Sequence, residues 1–61
     1  MTKFEIKKAT NGEFYWVYVA ANGESICRSE TYTAKQSAKH SIEVVQENAA
    51  KAEVVDLTLE N

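Results

Sequence analysis

Asn11-Gly12-Glu13-Phe14-Tyr15-Trp16-Val17-Tyr18-Val19-Ala20-Ala21-Asn22-Gly23 is the stretch that decides the fold. A run of aromatic and β-branched residues, the composition of strands, stands between two Asn-Gly pairs, the strongest short signal for a hairpin turn. Upstream, Phe4-Glu5-Ile6-Lys7 alternates apolar and polar residues, as a half-buried strand does. Downstream, Ser25 to Ser29 reads as a third strand. Connections this short cannot cross to a parallel partner, so the three strands form an antiparallel meander.

Alternation alone does not say which face of the middle strand is buried. Phe14, Trp16, Tyr18 and Ala20 share one face; Tyr15, Val17 and Val19 share the other, and both are apolar. Turn length decides. A two-residue turn at Asn11-Gly12 pairs Ile6 with Val17 and Phe4 with Val19. A three-residue turn, Thr10-Asn11-Gly12, with Gly12 left-handed in a bulge, pairs Ile6 with Trp16 and Phe4 with Tyr18. The second is preferred. A two-residue turn at Asn22-Gly23 then sets Ser29 and Cys27 opposite Trp16 and Tyr18, and Ile26 opposite Val19. Small residues opposite large rings fill volume without voids. The expected core is Phe4, Ile6, Phe14, Trp16, Tyr18, Ile42 and Val45.

Thr33 is read as the cap of a helix, with Gln36 completing a capping box and Tyr32 as a staple on the first turn. From Ala34 to about Asn48 there is no Gly or Pro, and Ala38, Ile42, Val45 and Ala49 recur as one helical stripe. Lys39-Glu43 and Glu47-Lys51 are spaced for i,i+4 ion pairs. Glu53 to Leu59 reads as a last strand. The fold class is therefore α+β: a β-β-β-α-β unit in which one helix packs on one face of an antiparallel meander. It forms a single domain over residues 1–61, with no repeat, linker or low-complexity run.

A chain of 61 residues buries only about 60% of the surface its unfolded form exposes. Chains this small gain stability from disulfides, a metal or oligomerisation. Cys27 is the only cysteine, and no Cys or His pair has metal-ligand spacing, so oligomerisation or an unusually good core remains. A lone thiol fits a reducing compartment. The N-terminus lacks the apolar run of a signal peptide, and the longest apolar stretch, Phe14 to Ala21, is too short to span a bilayer. The expected location is the cytoplasm. A net charge of −2, its signs mixed along the chain, argues against a nucleic-acid partner.

Cys27 and His40 are the only nucleophile and base of the kind that pair in catalysis, which needs them within hydrogen-bond reach. Cys27 falls on the face expected to be buried, where a thiol is inert. His40 lies off the apolar stripe. The carboxylates are scattered, and both glycines are accounted for by turns rather than by a phosphate loop. No enzyme, cofactor or metal site is expected.

Several blocks have a familiar order. Phe4-Glu5-Ile6, Asn11-Gly12-Glu13-Phe14-Tyr15-Trp16, Ala20-Ala21-Asn22-Gly23-Glu24, Ser29-Glu30-Thr31-Tyr32-Thr33-Ala34-Lys35 and Ser37-Ala38 resemble the YegP-like family of small bacterial proteins. So do Ile42, Val45 and Asn48-Ala49, and the match runs from Phe4 to about Thr58. The family is a domain of unknown function. The resemblance implies β-β-β-α-β units, in tandem or as single copies that dimerise, with the last strand exchanged so that one continuous sheet forms. A single copy implies a homodimer. Tyr15, Val17 and Val19 depart from the pattern, standing where relatives often carry charged residues.

The expected function is that of a small, non-enzymatic structural or interaction protein acting as a homodimer. Val54, Val55, Leu57 and Leu59 form its dimer strand. Tyr15, Val17, Val19 and Ile26 form an apolar patch on the outer sheet face that could meet a protein partner. The alternative is a binding module for nucleic acid or a small ligand on that same face.

Overall fold

The computed structural model describes residues 1–58. Its strands are β1 (Lys3–Lys8), β2 (Phe14–Val19) and β3 (Ser25–Arg28), in the order β1-β2-β3 and antiparallel throughout. The helix α1 (Lys35–Asn48) follows and ends in a 3-10 turn, Ala49–Lys51.

The first turn has the expected three-residue form. Ala9 N–H donates to the Glu13 carbonyl at 2.7 Å, Gly12 N–H donates to the Ala9 carbonyl at 2.9 Å, and Gly12 is left-handed at φ 88°. Ile6 consequently pairs with Trp16 and Phe4 with Tyr18.

The second turn has the same construction, not the two-residue form expected. Ala20 N–H donates to Glu24 and Gly23 N–H to Ala20, with Gly23 at φ 91°. In each turn the asparagine Oδ1 accepts the amide two residues on, an added reason for this geometry. The longer turn pairs Val19 with Ser25, so Ile26 is not opposite Val19. A register shift between Tyr18 and Val19 then absorbs the extra residue. Cys27 still faces Tyr18, and Ser29 N–H still donates to the Trp16 carbonyl at 2.9 Å.

Neither glycine's added Cβ would meet an atom within 4 Å, so substitution tests the backbone alone. Gly12→Ala and Gly23→Ala should each cost about 1–2 kcal/mol in urea denaturation, because an L side chain strains the left-handed region. Asn at either position should cost less.

The helix starts later than expected. Its N-cap is Ala34, at φ −116° and ψ 136°, and no side chain caps it. Tyr32 is held in an extended bridge to Phe14 by paired backbone bonds of 2.7 and 2.8 Å. That bridge keeps the chain from turning at Thr33, so the Thr33–Gln36 capping box does not form. Tyr32 acts as a sheet extension, and the helix entry follows two residues on. Glu43 meets His40 Nδ1 at 3.8 Å rather than Lys39, and Lys51 lies beyond the end of α1.

Packing centres on Trp16. Its indole Nε1 donates to Ser41 Oγ at 2.7 Å, and Ser41 Oγ donates on to the Ala38 carbonyl at 2.8 Å. Its backbone N–H donates to Ser29 Oγ at 3.0 Å. Phe4 meets the indole edge-on, with centroids 5.2 Å apart, and lies 5.0 Å from the Tyr18 ring. Ala38 is fully buried, as a small residue facing a large ring should be. Of the expected core only Trp16 is buried; Phe4, Ile6, Phe14, Tyr18, Ile42 and Val45 are half-buried. One helix packed on β1 and β2 leaves the inner side of β3 uncovered.

Candidate functional site

Two surfaces carry the residues singled out from the sequence. The first is the outer sheet face. Val17 and Val19 are buried there, Tyr15 is half-buried and only Ile26 is exposed, so the four do not form an open apolar patch. The cause is their neighbours. Lys3 stands opposite Val19, Glu5 opposite Val17 and Lys7 opposite Tyr15 on β1, with Arg28 opposite Val17 on β3. Glu5 holds Lys3 at 3.2 Å and Lys7 at 3.8 Å, and the Arg28 guanidinium lies 4.5 Å from the centre of the Tyr15 ring. Long charged side chains cover apolar surface with their stems while their heads stay in water. The double variant Val17→Lys, Val19→Lys should therefore lose about 1–3 kcal/mol, the scale of burying one or two valines. Ile26→Lys, at a 59% exposed position, should leave the urea midpoint unchanged at concentrations that keep the chain monomeric.

The second surface joins an open groove and a loose segment. The groove, about 520 Å³, lies between β3 and the C-terminal half of α1 and is walled by Trp16, Tyr18, Ile26, Cys27, Val45 and Ala49. Cys27 points into it from the inner face but is exposed, because no helix covers β3. Residues 52–58, after the 3-10 turn, take no regular structure within one chain. Val54, Val55 and Leu57 are 93%, 62% and 80% exposed; Leu59 lies outside the described residues. Over its described residues, 53–58, the last strand read from the sequence thus does not form in the single chain. Asp56 accepts hydrogen bonds from the N–H and hydroxyl of Thr58, at 2.9 and 2.7 Å, and these hold its carboxyl below the usual range. That local turn persists above the ordinary carboxylate pKa and is lost as pH falls through the lowered one.

Cys27 and His40 do not form a pair. The groove that Cys27 enters is walled by Val45 and Ala49, which stand about 7–13 Å further along the helix axis than His40 at 1.5 Å per residue. His40 is exposed and faces Glu43. Among the described residues no group of His, Cys, Asp or Glu is placed to hold a metal ion, and no helix is long and apolar enough to cross a membrane. Sequence reasoning missed two partnerships: Ser41 with the Trp16 indole, and Arg28 with Tyr15. The first had a signal, since a buried Trp N–H needs an acceptor and Ser41 flanks the stripe one turn from Ala38.

The sequence profile of a domain of unknown function, DUF1508, matches residues 9–56. The chain is 48% identical over 58 residues to UPF0339 protein Atu0232 of Agrobacterium fabrum, covering 95% of this chain and 94% of that one. The solution NMR structure of that protein superposes with a TM-score of 0.81. An NMR structure of a protein from Haloferax volcanii, 34% identical, superposes at 0.82 over 90% of this chain and 93% of that one. UPF0339 protein YegP of Yersinia pestis is 43% identical over 54 residues, which are 88% of this chain but 48% of YegP.

Proposed function

This chain belongs to the DUF1508 family of domains of unknown function, and we propose that it is a non-enzymatic structural or interaction protein, a cytoplasmic homodimer joined by exchange of its C-terminal segments. One observation carries the reading: Val54, Val55 and Leu57 stand in solvent beside a sheet with free edges. Exposed apolar strands and unpaired edges are templates for association. Relatives about twice as long have room for two such units in one chain. The cytoplasmic assignment rests on the single unpaired thiol, and the non-enzymatic one on the separation of Cys27 from His40.

Any protein partner on the outer face would touch Tyr15, Ile26 and the charged roof, not Val17 and Val19. A base-stacking role there is disfavoured, since Arg28 already occupies the Tyr15 ring. Co-expression of two differently tagged copies tests the dimer. Purification on one tag should recover the other in comparable amount, and recovery of one tag alone would refute it.

A further inference from the structure

We infer that Asn22-Gly23, in the turn between β2 and β3, is a site of spontaneous covalent modification, which deamidates through a succinimide ahead of the matching pair Asn11-Gly12. Asparagine is thermally labile, and a following glycine puts no side chain in the way of its own amide nitrogen. In the step, Gly23 N gives up its proton and bonds to Asn22 Cγ. The bond from Cγ to Nδ2 breaks, and Nδ2 leaves as ammonia with that proton. Water then opens the ring. Attack at Cγ gives aspartate; attack at the main-chain carbonyl carbon gives isoaspartate, whose backbone runs through Cβ and Cγ.

Both turns read Asn-Gly-Glu and both pairs are exposed, so the fold must supply any difference between them. Each closed turn blocks the step in the same way. The glycine N–H is donated to an alanine carbonyl at 2.9 Å, and the asparagine Oδ1 is held by the amide two residues on. Reaction therefore waits for the turn to open, and its rate follows the free energy of local opening. The first turn closes on a ladder unbroken from Lys8–Phe14 to Lys3–Val19, and Phe14 is tied on its other side to Tyr32. The second closes on Val19–Ser25, beside a register shift, and on a strand exposed along its whole length. Asn22 has one added restraint, since its Nδ2 donates to Glu24 Oε1 at 3.1 Å. Water replaces that exposed hydrogen bond on opening at little cost, so the weaker hairpin decides. Isoaspartate at position 22 lengthens the turn that sets the Val19–Ser25 pairing, and β3 loosens from β2.

The unmodified full chain supplies its own control. It is incubated in neutral buffer and, in parallel, in concentrated urea, and both samples are mapped by mass spectrometry for aspartate and isoaspartate at the two sites. In urea the sites should convert at similar rates. In buffer Asn22 should convert about 5–30 times faster than Asn11, the ratio that one or two kcal/mol of easier opening gives. Asn11 converting as fast or faster in buffer, or no conversion at Asn22, would overturn the site. The same bias in urea would overturn its origin in the fold. The isoaspartate form, once separated, should exchange its β3 amide hydrogens faster than the parent chain while β1 keeps its protection. Unchanged protection of β3 would overturn the loosening.

Discussion

Trp16→Ala should leave the chain largely unfolded at room temperature. Truncating a buried Trp to Ala costs about 3–5 kcal/mol, and a core this small supplies little more than about 3–5 kcal/mol in total. The Trp16 side chain ties β2 to β1 through Phe4 and to α1 through Ser41. Trp16→Phe should restore most of the ring packing while leaving Ser41 without its indole partner. Ser41→Ala should cost about 1–3 kcal/mol, the price of a buried N–H without an acceptor. Tyr15→Ala, which removes only the ring under Arg28, should be mild. Thermal denaturation followed by circular dichroism separates these cases. A folded Trp16→Ala beside an unfolded Tyr15→Ala would mean that the helix covers the other face.

Ending the chain at Ala52 should abolish dimerisation and lower stability together. Residues 53–58 of the removed segment make no regular structure within one chain, so its loss should leave the monomer's own strands and helix intact. Whatever stability disappears is then stability supplied by the partner. By mass action that is about 2.7 kcal/mol at a hundredfold excess over the dissociation constant, and it varies with protein concentration. The full chain's melting temperature should therefore rise with concentration, and the truncated chain's should not. A truncated chain that stays dimeric would place the interface elsewhere.

Much of this fold was legible in the sequence because its signals were local. The Asn-Gly pairs placed both turns, and the Ala38–Ala49 stripe placed the helix to within a residue or so. The first register followed from one choice, that Trp16 and Phe4 should share a buried face. The second turn was read two residues long although Ala20–Glu24 repeats the chemistry of Ala9–Glu13; the bulge hid the difference by restoring the Cys27–Tyr18 pairing. The Thr33 cap failed because a long-range bridge, Tyr32 to Phe14, outweighs a local preference.

Burial was harder to foresee than register. Val17 and Val19 lie on the face without a helix yet are buried, because a central strand flanked by lysine, glutamate and arginine stems is covered from its own sheet. Cys27 lies on the helix face yet is exposed, because fourteen helical residues do not reach β3. Strand alternation says which side a residue takes. It does not say how far the covering element extends.

Sedimentation equilibrium of the full chain at tens of micromolar tests the central claim most directly. The account predicts a particle of twice the 6.8 kDa chain mass, falling to the monomer on dilution or when the chain ends at Ala52. A 6.8 kDa particle at every concentration would contradict it.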